Sequence, residues 1–257
     1  MKKQFLFFCL AMFSLLSCST DKDDNLAEDI ATTFKFSHNW DGSAVTNAEF
    51  NSFQFVNANG ETISIQRLRY LISDIIFTTS EGDDIVLDVY NLVDVTNNTG
   101  LIFTPETKIP SGEYTNVSFT FGFDNEDNYE NHIDLNSESF NVPDMLGGGY
   151  HYMQFDGKYL DENSTEQNFN YHAIRAVDNA EMNPTFPQDT FFTVNLGAIS
   201  ITDNIEIEVK MDISQWFENP NIWDLNELNT VLMPNSSAQI MMFENGQTVF
   251  SLGEVFQ

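Results

Sequence analysis

Two histidines lie in short segments that the sequence predicts to be strands, and their imidazoles could bind a transition metal. His151 lies within residues 150–155, directly after three glycines, and His172 lies within residues 169–174. Neutral imidazole suits copper and zinc, so two imidazoles on neighbouring strands could begin a site for either metal. A histidine in a strand is more often a hydrogen-bonded or half-exposed residue than a metal ligand, and this alternative stays open.

The alternation of side chains along a strand decides whether the two imidazoles can meet. We expect His151 to share a face with Met153, and His172 to share a face with Asn170. A turn is predicted at residues 156–157, and the two strands could pair as a hairpin. Directly opposed Cβ atoms in antiparallel strands lie about 4.5–5.5 Å apart, so the imidazoles can converge if the register allows it. The register cannot be read from the sequence.

His38 is the candidate for a third imidazole ligand. It ends the first predicted strand, two residues before Trp40, and would complete a site if that strand end lies near the hairpin. The thioethers of Met145, Met153 and Met182 could add soft ligands that favour Cu(I), although a methionine on a strand face is more often part of the core.

An acidic loop at residues 124–130 is the candidate for a second, calcium-binding site. It supplies four carboxylates, those of Asp124, Glu126, Asp127 and Glu130. Calcium is a hard cation that prefers such oxygen ligands, but the loop lacks the glycine and the terminal glutamate of an EF-hand. A run of charges is more often a solvated face, and we predict that the neighbouring His132 lies at the surface.

The elements that must position these side chains are predicted to be mainly strands. Short alternating segments separated by turn residues indicate an all-β fold, an antiparallel β-sandwich. Residues 67–78 are apolar on both faces and are predicted to be its central strand. Helical spacing occurs only at residues 213–217 and 223–232, which predicts one or two short helices near the C-terminal third. The other predicted strands are residues 33–37, 50–56, 62–65, 83–93, 112–123, 190–194, 206–212, 238–243 and 248–252, the last two joined at Asn245-Gly246.

The composition favours one folded domain with a strongly acidic surface. The chain has 257 residues, of which 14% are aromatic, and a formal net charge of −29. The aromatic content is enough for a large core, and a single sandwich can reach this size. The acidity argues against nucleic acid as a partner and would attract cations, although it can also serve only to keep a secreted protein soluble.

The N-terminus resembles a bacterial lipoprotein signal. Residues 1–17 combine two lysines with a short apolar stretch, and Leu15-Leu16-Ser17-Cys18 resembles a lipobox, so Cys18 is predicted to be the lipidated residue. Residues 18–31 are predicted to be an acidic tether, followed by the domain at residues 32–257. The acidic residues behind Cys18 resemble a surface-export signal, or form a plain linker. Both cysteines precede the domain, which excludes thiolate ligands and a cysteine nucleophile from it.

Four segments together resemble the MbnP-like family of bacterial copper-binding proteins. They are FKFSHNWDG at residues 34–42, RLRYLISDIIF at 67–77, GGGYHYMQFDGKY at 147–159 and FNYHAIRA at 169–176. His172 falls where the family places a histidine. The resemblance implies a lipoprotein encoded beside outer-membrane receptors and cytochrome-c-peroxidase-like proteins. No tryptophan stands directly before the Gly149-Tyr150 pair, where residues 145–148 are Met-Leu-Gly-Gly, so the resemblance carries no tryptophan-derived ligand to this chain.

The leading hypothesis is a lipid-anchored outer-membrane protein that binds copper through His38, His151 and His172 and acquires or buffers it. The membrane is reached only through the lipid, and a receptor or a cytochrome-c-peroxidase-like protein is the expected partner. The alternatives are a non-metal interaction module that contacts a receptor or a glycan, and a calcium-binding sandwich. Enzymatic activity is not expected, since neither a G-x-S-x-G nor an H-E-x-x-H motif occurs.

Overall fold

The computed structural model describes residues 29–181 and 183–257, which form fourteen strands and two α-helices. The strands are β1 (Asp29–Ile30), β2 (Thr32–Trp40), β3 (Ser43–Ala44), β4 (Phe55–Val56), β5 (Thr62–Thr79), β6 (Asp84–Asp94), β7 (Ile102–Phe103), β8 (Ile109–Pro110), β9 (Gly112–Phe121), β10 (Met153–Leu160), β11 (Glu166–Ala173), β12 (Phe192–Ile201), β13 (Ile205–Asp212) and β14 (Phe250–Phe256). The helices are α1 (Ile133–Ser137) and α2 (Ser236–Gly246). Single 3-10 turns occur at Asn47–Glu49, Asp127–Tyr129, Asp144–Leu146 and Ile213–Phe217.

The larger sheet is built around β5. Its order is β11-β10-β5-β9-β12, and β4 and β6 also pair with β5; all of these pairs are antiparallel. Leu68, Tyr70 and Ile72 of β5 point into the main core, whereas Leu71 belongs to a second cluster on the outer face. Both faces of β5 are therefore covered, which confirms the prediction of a central strand at residues 67–78 and explains its continuous apolar sequence.

The smaller sheet covers the inner face of the larger one. Its order is β14-β13-β2-β3, and β7 pairs with the other part of β2. The strands β13 and β2 run parallel, unlike the other pairs. Alternate residues of β2 are buried, so that Phe34, Phe36 and Trp40 join the core between the sheets. The fold is thus the expected all-β sandwich, with its α2 helix in the C-terminal third.

In the C-terminal third, tertiary contacts and not the local sequence pattern determine the secondary structure. Residues 238–243, predicted as a strand, lie in α2, and the predicted hairpin turn at residues 245–246 is the end of that helix. Asn235 caps the helix by accepting a hydrogen bond from the Ala238 N–H. The buried Asn245 then donates from Nδ2 to the carbonyls of Trp216 and Asn221, which fixes the helix on the sandwich. The strand and hairpin predictions were therefore wrong.

Other differences concern shorter segments. The predicted helix at residues 223–232 is a series of turns, in which the Trp223 Nε1–H donates to the Leu228 carbonyl at 2.8 Å. Of residues 50–56, only the last two form a strand, β4. Residues 62–65 and 67–78 are joined in the single strand β5.

The predicted N-terminal features lie largely outside the described residues. These are the signal peptide at residues 1–17, the lipidation site Cys18 and most of the tether. Of that tether, Asp29 and Ile30 form β1, which pairs with β8. No helix in the described part of the chain is long and apolar enough to cross a membrane.

Candidate metal centre

The structure brings His151 and His172 together on the outer face of the larger sheet. Strands β10 and β11 are antiparallel, and their register sets Gln154 opposite His172. The imidazole centroids of His151 and His172 are 5.3 Å apart, with the ring planes nearly perpendicular. The two side chains that were expected to converge, register permitting, are thus direct neighbours.

The face that His151 occupies differs from the predicted one. Met153 points into the core between the sheets, whereas His151 contacts His172 on the outer side. The reason is that β10 begins only at Met153, and the His151 N–H donates to the Phe140 carbonyl instead of to a neighbouring strand. Strand alternation therefore does not extend back to His151.

The glycines before His151 make this departure from the strand pattern feasible. Gly147, Gly148 and Gly149 have φ angles of 97°, 70° and 79°, a region that favours glycine. At Gly149 there is also no room for a side chain, because an added Cβ would lie 2.5 Å from Asn128 Nδ2. The chain can thus turn sharply and present residue 151 to Phe140.

The predicted turn at residues 156–157 was wrong, because both residues lie inside β10. The hairpin turns at residues 161–165 instead, where the Asp161 carboxylate accepts hydrogen bonds from the backbone N–H groups of Asn163 and Thr165. Gly157 serves close packing, since a Cβ there would lie 2.3 Å from the Ser64 carbonyl oxygen. The longer β10 is what places Asp156 beside His172.

The hydrogen bonds of His151 leave one ring nitrogen without a partner. Its Nδ1 lies 2.9 Å from the Phe140 carbonyl oxygen, which can only accept, so Nδ1 carries the hydrogen. Its Nε2 therefore holds a lone pair, and this atom is buried without any hydrogen-bond partner. Burial lowers the pKa of His151 to about 4, with a further contribution from the positive charges of Arg67 and Arg69. The ring is thus neutral at neutral pH.

The carboxylate of Asp156 orients His172. Asp156 Oδ1 lies 2.8 Å from His172 Nε2 and accepts a second hydrogen bond from Asn170, while Arg67 forms an ion pair with Oδ2. Burial raises the pKa of Asp156, but the hydrogen bonds from His172 and Asn170 and the charges of His172 and Arg67 outweigh it and bring the pKa to about 2. An ionised carboxylate only accepts, so His172 Nε2 carries a hydrogen, and Nδ1 is the nitrogen that would ligate a metal ion once it carries none.

The two rings are thus neighbours, and His151 Nε2 and His172 Nδ1 are the nitrogens that these hydrogen bonds do not engage. These nitrogens could ligate one metal ion, with Asp156 holding its neighbouring ligand in the required tautomer. Sequence reasoning did not identify Asp156 or Arg67. The available signal was a pair of opposite charges within two otherwise apolar strands.

His38 lies on the other side of the larger sheet, on strand β2 of the smaller sheet. It points from β2 into the core, where its Nε2 and the Tyr70 hydroxyl are hydrogen-bonded at 3.1 Å. Burial lowers the pKa of His38 to about 4. Alternation along β2 places His38 with the inward residues Phe36 and Trp40, so the structure does not bring it to the histidine pair.

The methionines considered as soft ligands are also apart from one another. Met153 is fully buried in the main core, and Met145 is 48% exposed. Met182 lies outside the described residues.

A group of three carboxylates is found elsewhere in the described residues 29–181 and 183–257. One carboxylate oxygen of each of Asp74, Asp88 and Asp127 lies within 4.8 Å of the other two. Of the four predicted calcium ligands, Asp127 alone belongs to this group, whereas Asp124 Oδ1 accepts from the backbone N–H groups of Glu126 and Asp127. Burial and the negative charge of Asp74 raise the pKa of Asp127 to about 6. Asp74, at a bulge of β5, was missed; its signal was a charge within an apolar strand.

His132, predicted to lie at the surface, is half-buried: it lines a surface cleft, and its ring packs among aromatic rings. Its ring stacks on Phe123 with centroids 4.5 Å apart and meets Tyr90 and Tyr150 edge-on. Its Nε2 is hydrogen-bonded to the Asp127 carbonyl at 3.1 Å. The aromatic neighbours come from distant parts of the chain, so the local acidic sequence gave no sign of them.

The fold and this pair define a class of protein, an all-β sandwich with two adjacent imidazoles on the outer face of its larger sheet. The family model of MbnP matches residues 29–241, and the chain belongs to that family. Among solved structures, MbnP from Methylosinus trichosporium is similar, with 11% sequence identity, a TM-score of 0.49, and coverage of 76% of this chain and 80% of that chain. No curated protein matches the sequence.

Proposed function

We propose that this protein binds one copper ion through His151 and His172 and serves in copper acquisition or buffering. The observation that carries the proposal is the buried, unpartnered Nε2 of His151. Leaving a buried acceptor unsatisfied costs about 1–3 kcal/mol, and such an atom in a native protein calls for a partner such as a water or an ion. A metal ion that accepts this lone pair would remove the cost.

The donor set favours copper over the other metals considered. Imidazole nitrogen suits copper and zinc, whereas calcium and magnesium prefer oxygen. Structural zinc sites have about four protein ligands, frequently thiolates, and the described residues 29–181 and 183–257 contain no cysteine. Cu(I) is stable with few ligands, so two imidazoles are a sufficient protein contribution.

The surroundings of the pair are suited to holding such an ion. Asp156 keeps the His172 ring in one tautomer and orientation, and Arg67 and Asn170 hold Asp156 in turn. Partners of this kind commonly raise ligand basicity and fix ligand geometry. Asp156 also offsets the positive charge of Arg67, which would otherwise repel the metal ion.

The proposed setting is outside the cytoplasm, in the outer membrane, with attachment through a lipid on Cys18 alone. Membership of the MbnP family supports a role outside the cytoplasm. The formal net charge of −29 would attract cations and disfavour nucleic acid. An outer-membrane receptor or a cytochrome-c-peroxidase-like protein would be the partner in copper transfer, and no catalytic role is proposed.

A second candidate is calcium binding, favoured by the convergence of the Asp74, Asp88 and Asp127 carboxylates from three separate segments. Oxygen ligands at such spacing suit a hard cation. The two sites share no residue, so one set of metal titrations separates them.

The test is a titration of the purified full-length chain in detergent with Cu(I) and Cu(II) against competing chelators, and with Zn(II) and Ca(II) in parallel. We expect one equivalent of copper to bind with a dissociation constant well below micromolar, which corresponds to more than about 8 kcal/mol. Copper binding no tighter than micromolar would overturn the proposal. A protein that binds Ca(II) but not copper would instead favour the carboxylate group.

A further inference from the structure

The strand β6 has one unpaired edge, and that edge lies in a cleft. Within the described residues, β5 is the one strand that pairs with β6, and an isolated bridge to Thr99 involves its last residue, Asp94. The cleft, of about 670 Å³, is lined by residues 88–90 of β6 on one side and by residues 103–107 on the other. An exposed strand edge presents free backbone N–H and C=O groups that can pair with another chain.

The cleft combines aromatic surface with carboxylates. Its aromatic surface comes from Tyr90, Phe103, Phe123 and the stacked His132. Four acidic residues line it, Asp88, Glu106, Asp127 and Glu130, and its described lining contains no lysine or arginine. This composition suits a ligand that has both apolar stems and positive charge, because lysine and arginine pack their stems on aromatic rings while their charged ends reach carboxylates.

The charge on this edge also explains why the edge need not cause self-association. Asp88 is exposed at a register shift, where two residues of β6 interrupt the pairing between Tyr90 and Leu87. Charges and bulges on edge strands are common protections against pairing with a second copy. A second copy of this chain carries the same net charge of −29 and would be repelled, whereas a basic segment would be attracted.

From these observations we propose that an extended, basic segment of a partner protein adds as a strand to the free edge of β6 in this cleft. Main-chain hydrogen bonds to residues 88–90 supply the pairing, and alternate side chains of the segment face the aromatic surface and the carboxylates. The cleft contains neither His151 nor His172. The proposal therefore stands independently of copper binding.

The probe is a synthetic peptide of about six residues, the usual strand length, with alternating lysine and valine. Binding to the full-length chain is measured by fluorescence anisotropy at low and high salt. Two control peptides are used: one with glutamate in place of lysine, and one in which every backbone nitrogen is methylated so that neither edge can donate. A double variant, Asp88→Asn with Glu130→Gln, removes charge from the cleft, and Glu162→Gln with Glu227→Gln removes equal charge from exposed sites elsewhere.

We expect the lysine peptide to bind, the glutamate and methylated peptides to lose binding, and the cleft double variant to weaken binding about fivefold while the control double variant leaves it unchanged. Hydrogen exchange at residues 88–90 should slow in the complex. Equal binding of the methylated peptide would show attraction without strand addition and overturn the proposal. Equal weakening by the two double variants would show that binding depends only on the overall charge of the protein, which would also overturn the proposal. Absence of binding of the lysine peptide would overturn it too.

Discussion

A buried histidine packs against each face of the larger sheet, and the two histidines differ in the surroundings of one ring nitrogen, Nε2. His38 on the inner face and His151 on the outer face are 6% and 4% exposed, and burial lowers both pKa values to about 4. The Nε2 of His38 meets the Tyr70 hydroxyl, whereas the Nε2 of His151 meets no hydrogen-bond partner. Burial and pKa therefore do not distinguish a structural histidine from a candidate ligand; the unfilled lone pair does.

The difference follows from where each histidine lies in the chain. His38 is in the regular part of β2, so its side chain enters the core, where Tyr70 of the facing sheet is within reach. His151 precedes β10, and the Phe140 carbonyl binds its Nδ1–H, leaving Nε2 directed away from that contact. His172 then lies beside it, with its own tautomer set by Asp156.

The largest expected effect of burying His38 is a loss of folding stability at acid pH. The pKa of His38 falls from 6.5 in the unfolded chain to about 4 in the folded one. Well above pH 6.5 the imidazole is therefore neutral in both the folded and the unfolded chain, and its burial takes nothing from the free energy of unfolding. As the pH falls from about 6.5 towards 4, the unfolded chain binds a proton that the folded chain does not. Folding should thereby lose about 3 kcal/mol for this one histidine. Urea unfolding of the wild type and of His38→Gln across this range measures the loss, and identical pH slopes would contradict it.

At neutral pH, a smaller change in stability distinguishes a structural role of His38 from a role as a metal ligand. His38→Ala should destabilise the fold by about 2 kcal/mol, because it leaves a cavity and an unpaired Tyr70 hydroxyl. Copper affinity should not change. Tyr70→Phe removes the same hydrogen bond from the other side and should cost about 1 kcal/mol. A loss of copper affinity in either variant, measured by chelator competition, would place His38 in the metal site.

On the outer face, Asp156→Asn should weaken copper binding about tenfold, since an amide no longer fixes the His172 tautomer by charge. Glu166→Gln on the same hairpin is the matched control, because that carboxylate pairs only with the exposed Lys158. Competition titration of both variants gives the comparison. Equal affinities would show that Asp156 is held for the fold and not for the ligand.

The smallest effect concerns the fourth histidine. His132→Ala should leave copper affinity unchanged, because its ring is stacked on Phe123 and hydrogen-bonded to Asp127 rather than to the histidine pair. It should lower stability by about 1 kcal/mol through loss of aromatic packing. Thermal unfolding together with copper titration tests both statements. A loss of copper affinity in His132→Ala would instead indicate that copper binds at the acidic residues beside His132.

The sequence was sufficient to predict the sandwich and the central strand, because alternation and apolar runs reflect burial directly. It also identified His151 and His172 as potential neighbours, since the segments that carry them were predicted to be strands that could pair as a hairpin. It could not place His38, because that depends on which face of β2 meets the larger sheet. Asp156 was missed for a related reason: its role appears only once the longer β10 sets it beside His172.

The C-terminal helix α2 marks a second limit. Ala238 to Phe243 has the apolar character of a strand, and nothing local shows that Asn245 and Gln239 will be buried. Gln239 accepts a hydrogen bond from Ile174 N–H and donates to the His172 carbonyl, so the helix is stabilised by the strand that carries the candidate ligand. Such long-range polar contacts have no signature in local periodicity.

We propose that copper is held by the outer pair of histidines, His151 and His172, and not by the inner histidine, His38. The most direct test is one Cu(I) competition titration of the wild type, His151→Ala, His172→Ala and His38→Ala, with circular dichroism to verify that each is folded. We predict that each outer variant loses more than about tenfold in affinity, since water replaces an imidazole poorly, while His38→Ala retains wild-type affinity. Wild-type affinity in both outer variants, or a loss confined to His38→Ala, would contradict the account.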